Sequence, residues 1–432
     1  VAEAYISAKM YDLAEEALER ARKVKKDFSG IYTAEGDLLM SKGSVGEASA
    51  KYEMAIRFNP GDKTAYLKYA RIYKNINPSL ALENLEKLIA IDPEYVPAYA
   101  ELGDLYYRGI DAKPNYNKAI EAYEKIMNIP GVPLAQETRY GQLLFFTDRN
   151  ADAVAQISKV LAKDPTNYVM KRVQAYNNFK LEDYDKGLEQ MTAFMKETKP
   201  EDLIAQDYIY FGRYLMKAKQ PELAVENLKK GYEMDTVRFE LLKEIADAYQ
   251  SMGNYAESVG YSEKFLDSSP DPAALDYFNL GRTCYSAVRQ MIIAIDSTAS
   301  SEKLLNDSIQ RDKYLEIGEK AFSTVAERLP ESYMGYFWMG NIATLRDIIH
   351  HQGTAGLAKE YYEKALPILS ESNQDGKRNR EIIEIYAYMA TYYFVKEDSK
   401  TSQEYWQKIL EIDPENARAK QVMDEFKKAE KK

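Results

Sequence analysis

The sequence predicts an all-α protein, a solenoid of antiparallel helix pairs. Apolar residues recur every three or four positions throughout the chain, and sustained apolar–polar alternation is absent, which favours helices over strands. One pattern of small and bulky residues also returns about eleven times along the 432 residues. A unit of that size cannot bury its apolar face alone, so the copies must stack in file.

Small residues close the first helix of each pair onto the second. Glycine or alanine lets the two helices approach closely, and an aromatic residue or leucine three positions later lies on the same face and fills the adjacent space. A proline after the second helix often ends the unit. The separation of successive small residues centres on 34. These residues are Gly36, Ala70, Gly103, Gly141, Ala175, Gly212, Ala246, Gly281, Gly340 and Ala390.

The repeat resembles that of the tetratricopeptide-repeat (TPR) family, whose period is 34 residues, and about eleven repeats cover nearly the whole chain. Lys171, Thr236 and Cys284 depart from the family pattern, which has an aromatic residue, a proline and an aromatic residue there. The resemblance implies a right-handed superhelical, TPR-like solenoid in which the first helices line a concave surface that takes peptides. The match is clearest in the first helix that carries Tyr99, Leu102, Gly103 and Tyr106.

The spacing also predicts how the chain is organised. From Gly281 to the next small residue of the same pair the gap is 37 residues instead of the usual 12. We expect residues 291–295 to prolong the first helix and residues 296–301 to form a loop. Gly353 and Gly356 mark a second long turn. The predicted segments are an N-terminal and central repeat array (1–285), an insertion within one helix pair (286–312), C-terminal repeats (313–415) and a closing helix (416–432).

Composition and motifs argue against several classes of function. The net charge of −10 and the pI of about 5.2 disfavour a nucleic-acid binder, which usually carries a basic balance. No run approaches the roughly 18 apolar residues of a membrane span. The side chains of the adjacent His350 and His351 point about 100° apart on a helix, so they do not converge on one ligand. Cys284 occupies a position of the repeat that is expected to pack against the neighbouring helix. We therefore expect no enzymatic activity, no cofactor and no metal site.

The predicted inner wall combines arginines with aromatic residues between residues 139 and 285. A guanidinium group is a forked donor for carboxylates, and flat rings supply contact area. This pattern predicts a groove that binds a carboxylate-bearing peptide, although unremarkable surface would also place some of the 58 basic residues there. The candidate groove residues are Arg139, Arg172, Tyr176, Phe179, Tyr210, Arg213, Arg282 and Tyr285.

These observations predict a non-enzymatic scaffold that binds a protein or peptide segment in its concave groove. Two alternatives remain, a glycan or small-molecule binding protein and a structural subunit of an assembly. A peptide groove requires an apolar and cationic inner face, a sugar site requires paired exposed aromatics with carboxylates, and an assembly subunit requires an exposed apolar end repeat. The sequence leaves the oligomeric state open.

The sequence gives a weak indication of the compartment. The chain starts at Val1 inside a repeat, without an initiator methionine, as it would after removal of an export signal or in a shortened sequence. A single cysteine and 36 tyrosines also suit an exported bacterial protein. We therefore favour a periplasmic location over a cytoplasmic one.

Overall fold

The computed structural model describes residues 1–110, 113–294, 300–353, 355–373 and 375–429. Within those ranges the regular structure is helical, with 23 α-helices and a 3₁₀ turn at Pro200–Asp202. Apart from one isolated β-bridge between Ile110 and Lys113, the described residues form no β-structure. The predicted all-α fold is confirmed.

The chain divides into two compact units, Val1–Asp202 and Leu203–Lys432, here called the N-terminal unit and the C-terminal unit. The N-terminal unit contains twelve helices, of which consecutive members pack on each other. They are α1 (Ala2–Ser7), α2 (Tyr11–Val24), α3 (Ser29–Ser41), α4 (Val45–Phe58), α5 (Lys63–Tyr73), α6 (Pro78–Ile91), α7 (Val96–Arg108), α8 (Tyr116–Glu124), α9 (Leu134–Phe146), α10 (Asn150–Lys163), α11 (Tyr168–Lys180) and α12 (Tyr184–Glu197).

The C-terminal unit continues the same arrangement with five pairs and a closing helix, so that the described residues form eleven pairs in all. The odd-numbered helix of each pair is its first helix. They are α13 (Ala205–Lys217), α14 (Pro221–Met234), α15 (Leu241–Ser251), α16 (Tyr255–Ser268), α17 (Ala274–Ile293), α18 (Ser301–Arg328), α19 (Tyr333–His351), α20 (Lys359–Ser372), α21 (Asn379–Val395), α22 (Ser399–Ile412) and α23 (Ala417–Ala429).

The small residues of the first helices are sites of close approach between the helices of a pair. A methyl group added at Gly281 would lie 2.6 Å from the ring of Phe322, and one at Gly103 would lie 2.9 Å from the ring of Tyr123. Both rings are fully buried. The absence of a side chain on the first helix therefore creates the space that an aromatic residue of the second helix fills.

The described part of the predicted insertion is mostly helical, and the expected prolongation of the first helix is confirmed as far as Ile293. The first helix, α17, has 20 residues and its partner α18 has 28, whereas most helices here have 13 or 14. Residues 295–299, which hold most of the predicted loop, lie outside the described residues. The loop prediction is wrong at Ser301, which begins α18 because the side chain of Ser300 accepts a hydrogen bond from the Lys303 amide at 3.3 Å.

The second long turn follows α19 and is closed by a buried carboxylate. Asp347 accepts hydrogen bonds from the amides of Ala355 at 2.9 Å and Gly356 at 2.8 Å. Gly353 and Gly356 have φ angles of 79° and 83°, a backbone conformation that favours glycine. The turn predicted at these two glycines is confirmed, and it is anchored to the first helix of its own pair.

We predict that Gly281→Ala destabilises the C-terminal unit by about 1–3 kcal/mol, the usual range for overpacking a filled core. The added methyl group would force the buried Phe322 ring to move. Urea unfolding followed by circular dichroism measures the loss.

Gly260→Ala is the matched control, because Gly260 lies in α16 with no atom within 4 Å of the added methyl group. Alanine should stabilise that helix by up to about 1 kcal/mol. Equal stability of the two variants would contradict the close-approach explanation.

Candidate functional site

In the N-terminal unit, the first candidate residue, Arg139 on α9, is already engaged by the protein itself. Its guanidinium group forms an ion pair with Asp104 of the preceding first helix and lies 5.3 Å from the ring centroid of Tyr107. The Tyr123 hydroxyl also donates a hydrogen bond to the Asp104 carboxylate. Burial and the Asp104 carboxylate raise the pKa of the Tyr123 hydroxyl. Arg139 therefore links neighbouring repeats. Because its charge is already neutralised by Asp104, it is less able to bind a ligand carboxylate.

The remaining candidates of this unit lie on α11 and are likewise in contact with protein groups. The Arg172 guanidinium donates a hydrogen bond to the Asp202 carbonyl at 2.9 Å and lies 5.3 Å from the Phe194 ring centroid. Tyr176 is 5% exposed. The Phe179 ring packs edge-on against Tyr184 with 5.3 Å between centroids. Arg139 lies on α9, whereas the other three candidates of the N-terminal unit share α11.

In the C-terminal unit, Tyr210 and Arg213 lie together on α13 but are also used internally. The Arg213 guanidinium donates two hydrogen bonds to the Glu244 carboxylate, at 2.9 and 2.6 Å, and lies 5.8 Å from the Tyr210 ring centroid. Tyr210 is 7% exposed. Glu244 belongs to the next first helix, α15, so this bidentate pair repeats the linking role of Arg139 and Asp104.

Arg282 and Tyr285, the last two candidates, converge on a tryptophan that the sequence analysis did not identify. The Arg282 guanidinium carbon lies 4.3 Å from the Trp338 ring centroid, and the Tyr285 ring meets the same indole edge-on at 5.2 Å. Arg282 and Tyr285 lie on α17 and Trp338 on α19, so two successive first helices supply the cluster.

This cluster forms one wall of a cavity of about 680 Å³, here called the basic cavity. Its lining comes chiefly from three successive first helices, α17, α19 and α21. It holds four guanidinium groups, two carboxylates and six aromatic rings. They are Arg282, Arg289, Arg378, Arg380, Glu381, Glu384, Tyr255, Phe278, Tyr285, Tyr333, Phe337 and Trp338.

The charges in the basic cavity are not balanced by ion pairs. Arg378 pairs with Glu381 at 3.5 Å, one turn away on the same segment. In the described part of the chain, Arg282, Arg289 and Arg380 form no ion pair. The Glu384 side chain reaches water, but the surrounding protein removes enough solvent to raise its pKa, with Arg380 and Arg289 opposing that rise. Excess positive charge therefore collects on a protein that is acidic as a whole.

A second cavity of about 870 Å³ adjoins the basic cavity and shares Arg289, Arg380 and Glu384 with it. It continues along α21 to Trp406 of α22 and Arg418 of α23, where the Arg418 guanidinium carbon lies 5.3 Å from a Trp406 ring centroid. The two cavities together form a groove across the first helices of the last three pairs of the C-terminal unit.

The sequence analysis missed Arg289, Trp338 and Arg380 for identifiable reasons. Arg289 lies eight residues after Gly281, on the turns that prolong α17 beyond a standard helix. Trp338 lies two residues before Gly340, and Arg380 lies in the first turn of α21. Trp338 has the same spacing to its small residue as Arg139 and Tyr210 have to theirs, but both Trp338 and Arg380 lie beyond residues 139–285, to which the predicted inner wall was confined. The length of the insertion was the one signal that could have extended the search to Arg289.

The described residues offer little for chemical catalysis. Cys284 is buried, and burial raises the pKa of its thiol, which keeps it in the unreactive protonated form. The His350 ring contacts the Asp312 carboxylate at 2.7 Å. No cluster of three or more histidine, cysteine, aspartate or glutamate residues in the described ranges could hold a metal ion. Among the same residues, every helix is too short or too polar to cross a membrane.

Comparison with known proteins identifies the fold. No family model matches the chain. A curated relative, the small glutamine-rich tetratricopeptide repeat-containing protein 2 of Mycosarcoma maydis, is 28% identical over 113 residues, which span 26% of this chain and 29% of that protein. The C-terminal part of a TPR repeat-containing protein from Cytophaga hutchinsonii is 24% identical with a TM-score of 0.50, covering 65% of this chain and 97% of that structure. A tetratricopeptide repeat protein from Parabacteroides merdae is 18% identical with a TM-score of 0.35, covering 58% and 96%.

We predict that Arg139→Gln lowers the hydrogen-exchange protection of α7 and α9 by about 1–3 kcal/mol, the cost of breaking a hydrogen bond to a charged group. Asp104 loses its guanidinium partner in that variant. Arg282→Gln is the control and should change the protection of α17 by about 1 kcal/mol or less, because a partly exposed cation–π contact is all that it loses. Equal effects of both variants would contradict the division between linking and ligand-facing arginines.

We also predict that Glu384→Gln raises the melting temperature of the C-terminal unit at neutral pH. A carboxyl group with a raised pKa destabilises the folded state while it is ionised, and this penalty disappears as the pH falls through the raised value. The groups acting on Glu384 are Arg289 from α17 and Arg380 and Glu381 from α21. The advantage of the variant should therefore shrink as the pH is lowered from neutral. Melting curves recorded at successively lower pH check the sign, and an advantage that grows on acidification would contradict it.

Proposed function

We propose that this chain, whose repeated sequence and fold resemble those of tetratricopeptide-repeat proteins, is a non-enzymatic scaffold that binds a segment of another protein. The place we propose for binding is the groove of the C-terminal unit that begins at the basic cavity. The observation that carries the proposal is the convergence of Arg282, Tyr285 and Trp338 in that cavity.

The composition of the basic cavity favours a polypeptide ligand. A cavity of about 680 Å³ lies within the range typical of ligand sites, and its aromatic rings offer contact area to apolar side chains. Arginine and tryptophan are enriched where binding energy concentrates at protein interfaces. The adjoining cavity of about 870 Å³ extends the groove, as an elongated segment would require.

The glycan alternative receives less support from the same geometry. A sugar ring stacks on an open aromatic face, but one face of Trp338 is covered by the Arg282 guanidinium. Tyr285 meets that indole edge-on and does not form a parallel platform with it. A sugar would have to displace Arg282 before it could stack.

One observation favours the assembly-subunit alternative as a second candidate function. Phe394, at the end of α21, is 59% exposed and lies beside a cavity of about 510 Å³ lined by Trp406, Val422 and Phe426. An exposed apolar surface of this kind marks an interaction site in many proteins. Light scattering of the protein and of Phe394→Ser tests it, and a loss of self-association in the variant would support this function.

We predict that a photo-crosslinking amino acid placed at Ser286, in the basic cavity, captures a defined partner polypeptide in the native cells. The same amino acid at Glu316, an exposed position of α18, is the control and should capture none. The double variant Arg282→Glu and Arg289→Glu should reduce capture from Ser286 at least about tenfold, since each reversal opposes the proposed charge complementarity. Equal capture from both positions would contradict a binding groove at this place.

A further inference from the structure

We propose that the segment bound in the basic cavity is acidic, and that Arg289 and Arg380 hold its carboxylates while the rings around Trp338 take a neighbouring apolar side chain. This inference rests on the proposed function and names the chemistry of the ligand. The occupant is a short polypeptide segment in which carboxylate and apolar side chains lie close together.

The distribution of ion pairs is the first argument. Two of the arginines on other first helices, Arg139 and Arg213, are neutralised by Asp104 and Glu244 of neighbouring helices. Arg289 and Arg380 share a cavity with only Glu381 and Glu384 as carboxylates, and in the described ranges neither forms an ion pair. A guanidinium group recognises a carboxylate through two parallel hydrogen bonds, so these two groups are available for a ligand.

The second argument is that two of the guanidinium groups, those of Arg282 and Arg289, already pack against aromatic rings without a ligand. The Arg289 guanidinium carbon lies 5.8 Å from the Tyr285 ring centroid, and that of Arg282 lies 4.3 Å from the Trp338 ring centroid. The Phe278 ring meets Trp338 edge-on at 6.1 Å, which fixes the indole. A side chain that is already ordered loses less conformational entropy on binding. The rings thus orient Arg282 and Arg289 and also provide the apolar surface.

The charge of the whole chain is the third argument, and it favours a short acidic segment over a polyanion. The net charge is −10, so a long nucleic acid or a sulfated glycan would be repelled by most of the surface that it had to follow. A segment that places a few carboxylates in the basic cavity meets the local excess of arginine and avoids that repulsion.

Glu384 limits the affinity and so provides a variant with the opposite effect. Its carboxylate adds negative charge to a cavity proposed to receive carboxylates. Glu384→Gln should therefore bind an acidic ligand several-fold more tightly, because like charges oppose association across a partly desolvated surface. A gain in affinity that is confined to an acidic ligand cannot result from newly exposed apolar surface, so this variant keeps the proposal testable if an arginine variant folds poorly.

The experiment uses the full chain and a fluorescein-labelled peptide of roughly ten residues in which glutamates are interspersed with phenylalanines, long enough to span the cavity at about 3.3 Å per residue. A second peptide carries Gln in place of every Glu. Fluorescence anisotropy at about 0.1 M salt, where the Debye length is about 10 Å, gives both affinities. We expect the acidic peptide to bind at least about tenfold more tightly, which is 1.4 kcal/mol, and to lose affinity as salt rises.

The double variant Arg289→Gln and Arg380→Gln should reduce the preference for the acidic peptide to about twofold or less, since the groups proposed to read the carboxylates are gone. Lys313→Gln with Lys320→Gln is the matched control, because both lysines are exposed on α18 outside the basic cavity. That control removes the same charge and should keep the preference.

The outcomes separate this inference from the proposed function. If Ser286 still captures a partner in cells but the Glu and Gln peptides bind equally, the acidic ligand is wrong and the groove stands. If Ser286 captures nothing, the proposed function itself fails. Tighter binding of a heparin fragment or of single-stranded oligothymidine than of the acidic peptide, lost in the Arg289 and Arg380 variant, would overturn the polypeptide occupant.

Discussion

The structure depends on the close approach of two helices at a residue without a side chain. At Gly36 and Gly340, as at Gly281, the first helix leaves room for one aromatic ring of its partner. The Tyr52 hydroxyl then donates a hydrogen bond to Asp37, the residue after Gly36, at 2.8 Å. The ring fills the space between the helices, and its hydroxyl group reaches a polar partner, a combination that tyrosine offers and phenylalanine does not.

At two of these tyrosines, the aspartate that accepts the hydroxyl hydrogen bond also connects its pair to the next one. Asp37 accepts a hydrogen bond from Tyr52 within its pair and from Lys68 of the next first helix at 2.5 Å. Asp104 does the same with Tyr123 and Arg139. Lysine and arginine side chains of the first helices are thereby neutralised by carboxylates of the same protein. The basic cavity differs because α17 is the longest first helix of the described residues and carries Arg289 beyond the reach of this arrangement.

The packing was predictable from the sequence because it recurs, whereas the individual contacts of the site were not. Gly36 and Gly103 belong to the regular spacing of about 34 residues, and the structure places both against aromatic rings. Whether Arg213 is neutralised within the protein depends on the next first helix. That helix carries a carboxylate, Glu244, two residues before its small residue. The presence of such a carboxylate is a property of two particular neighbouring repeats. A pattern derived from all the repeats together does not contain it.

The last three pairs differ from the rest in what an occupant would do to them. Pairs in such a stack hold mainly to their neighbours, so a pulling force would peel them apart one after another. A segment bound across α17, α19 and α21 would connect three pairs, so that they would have to separate together. The extensibility of this part of the chain would then depend on occupancy, and mechanical load and partner capture would become linked properties of the same stack.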